Sequence, residues 1–444
     1  MTTTLHPSPS RQQRINALWT SPAPRPTAET APRSSTGDLH SPAARAVTAA
    51  AWPLAILLIV HRLVVLAREG SPTDDFTTVW AATHRFIKRV PVYNEVYHYV
   101  DPHYLYNPGA TLLLSPLGLA DSPDTVRPWF ILANALAIIG ALAWCTRLAG
   151  GRLTGPVFPV ALAAAFATES VTNTLVFSNI NGILLLALTA FLASYRARRF
   201  LVAGVVLGLA ILIKPMFAPL LVLPLMQLRF RAVAAGIAVP ALLNVVASPL
   251  TPGASDYLTK LVPYLGITRD YANSSLAGFA VYFGMPAWAH GLLFFVLGAA
   301  VAAGVLGLAR WRFSDEWLWL TCSTAVLLAG VCLLSSLGQA YYSMMLFPAA
   351  FTALHRASPF HIAAPWAGLL LCVSPLQFNS TVIGPAGRWL NTFLPTAGWA
   401  IFIVAIAAWV ISVLTRSLPA APAQELHKPG KTPEAQEAQE AQHD

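Results

Sequence analysis

Two adjacent carboxylates, Asp74 and Asp75, followed at once by Phe76, head a polar stretch rich in aromatic rings: Trp80, Tyr93, Tyr97, Tyr99, Tyr104 and Tyr106. The same stretch carries Asp101 and His103. A carboxylate can take a proton from an attacking hydroxyl while rings stack on sugar faces, so the set suits a site that handles sugar hydroxyls. A solvated loop with an interfacial aromatic belt would use the same residue types. Lys214 precedes Pro215 between two strongly apolar runs, and an ionisable residue at membrane depth is a functional candidate by default. The alternative is an interfacial lysine that snorkels. Arg269, within TRDYANSS at 268–275, and Arg62 beside His61 are further cations suited to a lipid-linked phosphate.

Three more clusters lie at ends of apolar runs: Glu169, Asn173, Asn179 and Asn181; Asp270, Tyr271 and Asn273; and Gln339, Tyr341 and Tyr342. Their amides and hydroxyls can hydrogen-bond sugar hydroxyls or cap the flanking helices. Residues 77–90 have the pattern of an amphipathic helix, with Val79, Phe86 and Ile87 toward the membrane and His84, Arg85, Lys88 and Arg89 toward water or lipid phosphate. Such a helix would either brace the acidic turn or serve as a surface anchor.

The elements that must position these groups are membrane helices. Of 444 residues, 56% are hydrophobic and 11% charged, beyond what a water-soluble fold can hide. Apolar segments fall near 47–67, 109–120, 127–148, 156–168, 182–195, 200–213, 216–228, 232–250, 288–309, 316–336, 342–355, 360–378 and 393–415. Arg196, Arg198 and Arg199, then Arg229 and Arg231, then Arg310 and Arg312, then His355 and Arg356 recur after every second segment, which places these four sets in the cytoplasm. Loops 68–108, 169–181, 251–287, 337–341 and 379–392, with the Lys214 break, then face the other side. That parity requires the 109–120 run to dip in and return, leaving about 12 spans. Several segments are too short for a hydrocarbon core of roughly 30 Å, so their ends must line a protein-walled or watery groove.

The net charge of +9 comes from Arg scattered at segment ends rather than gathered on one face, which argues against a nucleic-acid partner. Cys145, Cys322, Cys332 and Cys372 lie inside apolar runs with no metal-clip spacing, as buried unpaired thiols do. Residues 1–45, rich in Ser, Thr, Pro and Arg, and 417–444, ending in repeated EAQ, read as disordered cytoplasmic tails around a catalytic domain at 46–416. No cleavable signal peptide is expected. A transporter built from paired inverted repeats is disfavoured because no repeat stands out and the acids lie outside the spans.

TDDF at 73–76, YVDPHYLYNPGATLL at 99–113, TESVTNTLVFSNING at 168–182, KP at 214–215, TRDYANSS at 268–275, VYFGMPAW at 281–288 and GQAYYSMMLFP at 338–348 run in order through nearly the whole membrane core. Together they resemble actinobacterial alpha-1,3 arabinofuranosyltransferases of the GT-C superfamily. The resemblance implies an all-α polytopic fold of about 11–13 transmembrane helices, a helical first extracytoplasmic loop and an active site outside the plasma membrane. It further implies inverting transfer of arabinofuranose from decaprenyl-phosphate arabinofuranose to an arabinan chain of arabinogalactan or lipoarabinomannan, with no cofactor and no obligatory metal. The family's essential acid maps onto Asp74 or Asp75, and Asp75 is favoured because an apolar residue follows it directly. Lys214, Arg269 and Arg62 then become phosphate ligands. Asp101, His103, Tyr104, Tyr106, Glu169, Asn173, Asn179, Asn181, Asp270, Tyr271, Asn273, Gln339, Tyr341 and Tyr342 become substrate contacts. A polyprenyl-phosphate-mannose mannosyltransferase of the same superfamily is the rival reading. One departure stands out: relatives usually have Tyr-Pro-Pro where this chain has Tyr106, Asn107 and Pro108.

Overall fold

A computed structural model describes residues 41–69, 74–97 and 102–416; both tails, Thr73 and Asp101 lie outside the described residues. Among the described residues all regular structure is helical. The α-helices of seven residues or more are α1 (Pro42–Val60), α2 (Asp75–Ile87), α3 (Pro108–Leu114), α4 (Pro123–Leu148), α5 (Val157–Ala167), α6 (Glu169–Val176) and α7 (Asn181–Arg196). They continue as α8 (Phe200–Ile213), α9 (Phe230–Ala247), α10 (Leu276–Phe283), α11 (Ala287–Leu308), α12 (Glu316–Leu334), α13 (Ala363–Val373) and α14 (Pro385–Arg416). Helix α1 opens with Ser41 capping the Ala44 amide, inside the stretch assigned to the N-terminal tail.

Among the described residues six helices are long and apolar enough to cross a membrane, and seven shorter apolar helical runs match the remaining expected segments. One loop differs from expectation: α14 begins at Pro385, so the connection expected at 379–392 is shorter. Helix α12 runs through the middle, with 15 of its 19 residues buried. It packs against α11 and α14, while α4, α7 and α8 form a neighbouring group and α9 lies against α8.

The two ends of the bundle have different chemistry. At one end the arginine-bearing turns converge: Arg198 pairs with Glu316 at 2.8 Å, Gln227 donates to the Arg312 carbonyl at 2.5 Å, and His355 approaches Asp315 at 3.3 Å. All four basic sets therefore share one end, as positive-inside reasoning requires. At the other end lie Asp75, Lys214, Arg269 and Gln339 around one cavity.

Backbone departs from α-helix at Ser115–Leu119 and, beside that cavity, at Pro215–Leu221 and Ala340–Leu346. Pro215 explains the second break, because a residue before proline is pushed to extended backbone, and Lys214 stands at φ −135°, ψ 106°. At 14 residues α8 spans only about 21 Å, so its end lies inside the protein rather than at the far surface.

The apolar run at 108–119 begins against the end of α8, where Asn107 donates to the Leu212 carbonyl at 2.7 Å, and ends against α2. Both its ends therefore lie on the acidic-loop side, and it dips in and returns. Gly118 makes this fit possible: a Cβ there would stand 2.3 Å from the Thr83 carbonyl carbon of α2.

Helix α2 is not a membrane-lying anchor. Val79 and Phe86 are buried against Val92, Tyr93, Tyr104 and Leu261, and of the expected faces Ile87, Lys88 and Arg89, at the helix end, stay open. Its polar face is tied to protein: His84 to the Gly118 carbonyl at 3.0 Å, Arg85 to Glu95 at 2.8 Å, Arg89 to the Leu250 carbonyl at 2.8 Å. This packing makes α2 a fixed support for the turn that starts it.

Candidate active site

Asp74 and Asp75 share the start of α2 and point apart. Asp74 is the N-cap: its Oδ1 accepts from the amide and the hydroxyl of Thr77, each at 2.9 Å. Its Oδ2 pairs with Arg127 of α4 at 2.8 Å, and Arg127 also donates to the Val176 carbonyl at 3.0 Å. Asp74 is 3% exposed, so both its oxygens serve to hold the turn.

Asp75, one residue on, lines a cavity of about 470 Å³ together with Lys214, Arg269, Gln339, Tyr341 and Tyr342. The Tyr341 hydroxyl lies between Asp75 Oδ2, 3.5 Å away, and Gln339 Oε1, with one proton to serve either. Burial pushes the Asp75 carboxyl above the usual carboxylate range, the Lys214 ammonium pulls it back, and neighbouring Asp74 raises it again. Hydrogen bonds from Tyr341 and Asn179 add to the downward pull. A poorly solvated carboxylate with a raised proton affinity is the kind of group that serves as a general base near neutral pH.

Lys214 is held by its surroundings as well as by the chain break. Its Nζ donates to Asn181 Oδ1 at 2.7 Å and lies over the Tyr342 ring at 4.4 Å and the Tyr341 ring at 5.7 Å. Arg269 stands over the Tyr271 ring at 5.3 Å on a loop fixed from behind by Asn273. The Asn273 amide donates to the Arg269 and Ser336 carbonyls at 3.0 and 2.9 Å, and its oxygen accepts from the Gly338 amide at 2.9 Å. One carboxylate and two cations thus face a common space.

The other candidates divide between the cavity and its supports. His103, Tyr106 and Tyr271 line it, and the Tyr271 hydroxyl is buried without a partner. Asn179 and Asn181 are buried behind it, and the Asn181 amide nitrogen has no partner. Tyr104, fully buried, meets the Thr111 hydroxyl at 2.8 Å and packs the loop core rather than the cavity wall. Glu169 accepts from Asn173 at 2.9 Å on the first turn of α6, outside the lining; burial raises its carboxyl and that bond lowers it. Asp270 is exposed. Arg62 is spent on the Phe166 carbonyl at 3.1 Å and on His61 at 2.9 Å, away from the cavity.

Sequence reasoning missed Thr78, Asn107, Tyr257 and Ser335, which also line the cavity. It missed Arg127 too, although an arginine inside the first turns of an apolar helix is a signal of an inward partner. Among the described residues no group of three or more His, Cys, Asp or Glu side chains is gathered for a metal ion. The four cysteines are free and buried, as expected.

The profile of glycosyltransferase family 87 matches residues 104–336. A Corynebacterium glutamicum protein named alpha-(1->3)-arabinofuranosyltransferase is 52% identical over 356 residues, covering 80% of this chain and 85% of the relative. Relatives of the same name from Mycobacterium tuberculosis and Mycolicibacterium smegmatis are 41% and 39% identical, each covering 80% of this chain and 83% of the relative. No solved structure matches the chain.

Proposed function

The chain belongs to glycosyltransferase family 87, membrane glycosyltransferases of the GT-C type, and from that premise we propose that it transfers arabinofuranose from decaprenyl-phosphate arabinofuranose to the 3-hydroxyl of an arabinan chain. The product is an α-1,3 branch in arabinogalactan or lipoarabinomannan, made on the outer face of the plasma membrane. The observation that carries this reading is the half-buried Asp75 carboxylate facing Lys214 and Arg269 across one cavity.

In the proposed reaction Asp75 accepts the proton of the acceptor 3-hydroxyl as that oxygen bonds to the donor's anomeric carbon. The bond from that carbon to the phosphate oxygen breaks on the opposite face, and decaprenyl phosphate leaves with the electron pair. A β-linked donor thereby becomes an α-linked product. Arg269 offers charge-assisted hydrogen bonds to the leaving phosphate, and Lys214 adds positive potential while keeping Asp75 ionised. Glycan contacts come from the ring-rich wall of His103, Tyr106 and Tyr271.

Purified protein in nanodiscs, given labelled decaprenyl-phosphate arabinofuranose and a short α-1,5 arabinan, would yield a labelled chain whose linkage analysis shows a 3-linked branch. Transfer of mannose from polyprenyl-phosphate mannose, and none of arabinose, would overturn the choice of sugar. The two cations take the part that a metal plays in many nucleotide-sugar enzymes, so chelation leaves the rate unchanged; a metal-restored loss would overturn that part of the reading.

A further inference from the structure

We infer that a second cavity, on the lipid-facing side of the acidic turn, holds the phosphate headgroup of an anionic membrane lipid. This cavity, about 390 Å³, lies where the end of the Pro42–Arg68 span meets the start of α4. Its polar lining is Arg68, Arg127 and Asp124; its apolar lining includes Leu63, Val64 and Ile131. Val64 is 52% exposed, so the apolar side opens toward lipid while Arg68 and Asp124 are exposed at the polar rim.

Arg127 is already balanced by Asp74, which leaves the Arg68 guanidinium at the rim as the charge that meets a lipid phosphate, with the Asp124 carboxylate beside it. Arg127 has a Nε that is buried without a hydrogen-bond partner, although its Nη2 is engaged with Asp74 and Val176. A buried donor of this kind is costly unless something accepts from it, and a phosphate oxygen in the adjoining cavity would. The apolar lining receives the first methylenes of the chain, and Asp124 faces the hydroxyls of a headgroup such as glycerol. Arg127 joins this cavity to Asp74, so a lipid bound here rests on the same arginine that fixes the turn bearing Asp75.

The test is native mass spectrometry of the purified full chain with phosphatidylglycerol, decaprenyl phosphate or phosphatidylcholine at matched concentrations, for the wild type, Arg68→Gln and Arg68→Lys. Arg68 is exposed and takes no part in the active-site cavity, so the folded protein is retained. The wild type is expected to keep an anionic lipid in preference to phosphatidylcholine, Arg68→Gln to lose about tenfold in occupancy, and Arg68→Lys to recover part of it. The anionic lipid that shows the larger Arg68-dependent share names the source of the phosphate; binding that survives Arg68→Gln belongs to the active-site cavity. Equal retention of all three lipids, or equal occupancy in wild type and Arg68→Gln, would overturn the inference. Neither readout depends on which sugar the protein transfers.

Discussion

Neutralising the two neighbouring aspartates one at a time separates support from chemistry. Asp74→Asn keeps an oxygen to cap Thr77 but leaves the guanidinium of Arg127, whose side chain is 14% exposed, without its counter-charge. Breaking one partner of a buried pair costs about 3–5 kcal/mol, so this variant should melt several degrees lower and lose activity in step with folded protein. Asp75→Asn acts in the opposite way. A carboxyl whose proton affinity is raised by burial binds its proton more tightly folded than unfolded, so its ionisation draws down stability as pH rises through that window. A neutral amide removes the cost, and the variant should melt no lower than the wild type. Its turnover should fall about 10²–10⁴-fold, the usual contribution of a general base, equal to about 2.7–5.4 kcal/mol of barrier. Paired measurements in nanodiscs, thermal unfolding beside arabinose transfer, decide the matter. Asp75→Asn retaining a tenth or more of wild-type turnover, or Asp74→Asn losing turnover with its melting point intact, would refute the division of roles.

Further expectations concern the cavity and its supports. The acid limb of the kcat/KM profile should lie above the ordinary carboxylate range, and Lys214→Gln should move it higher, because the ammonium is what draws the Asp75 carboxyl down; a limb that stays put would remove Lys214 from this role. Arg269→Gln should raise the KM for the lipid-phosphate donor by about 10–100-fold while leaving the melting point unchanged, the loss expected of charge-assisted hydrogen bonds to phosphate. Gly118→Ala should lower both the melting point and turnover, since the added carbon would collide with the α2 backbone at Thr83 and displace the acidic turn; a wild-type melting point would contradict the close approach.

The membrane architecture was legible because hydrophobic runs and arginine punctuation are strong, local signals: the helical runs fall where the apolar segments are, and all four basic sets meet at one end. What remained illegible depended on who meets whom across the fold. Asp74 and Asp75 are alike in sequence, and only Arg127, more than fifty residues away, separates their roles. Asn273 has the composition of a sugar ligand, yet its amide is consumed in stitching two loops together, an outcome that a list of polar residues cannot foresee. Arg62 likewise finds a carbonyl of α5 before any phosphate could reach it. The amphipathic pattern of α2 was real, but its apolar face covers protein, because the run at 108–119 turns back beneath it.

Asn107 has a consequence for how the groove moves. Its side chain accepts from the Ala110 amide and donates to the Leu212 carbonyl of α8, two residues before the chain breaks at Lys214, while the Gly109 amide reaches Asn244 of α9. A proline there could make neither side-chain bond. The lip of the groove and its cation-bearing floor are therefore latched to each other. Their backbone amides should exchange with solvent as a single cooperative unit, and a glycan arriving at the cavity meets walls that are already set.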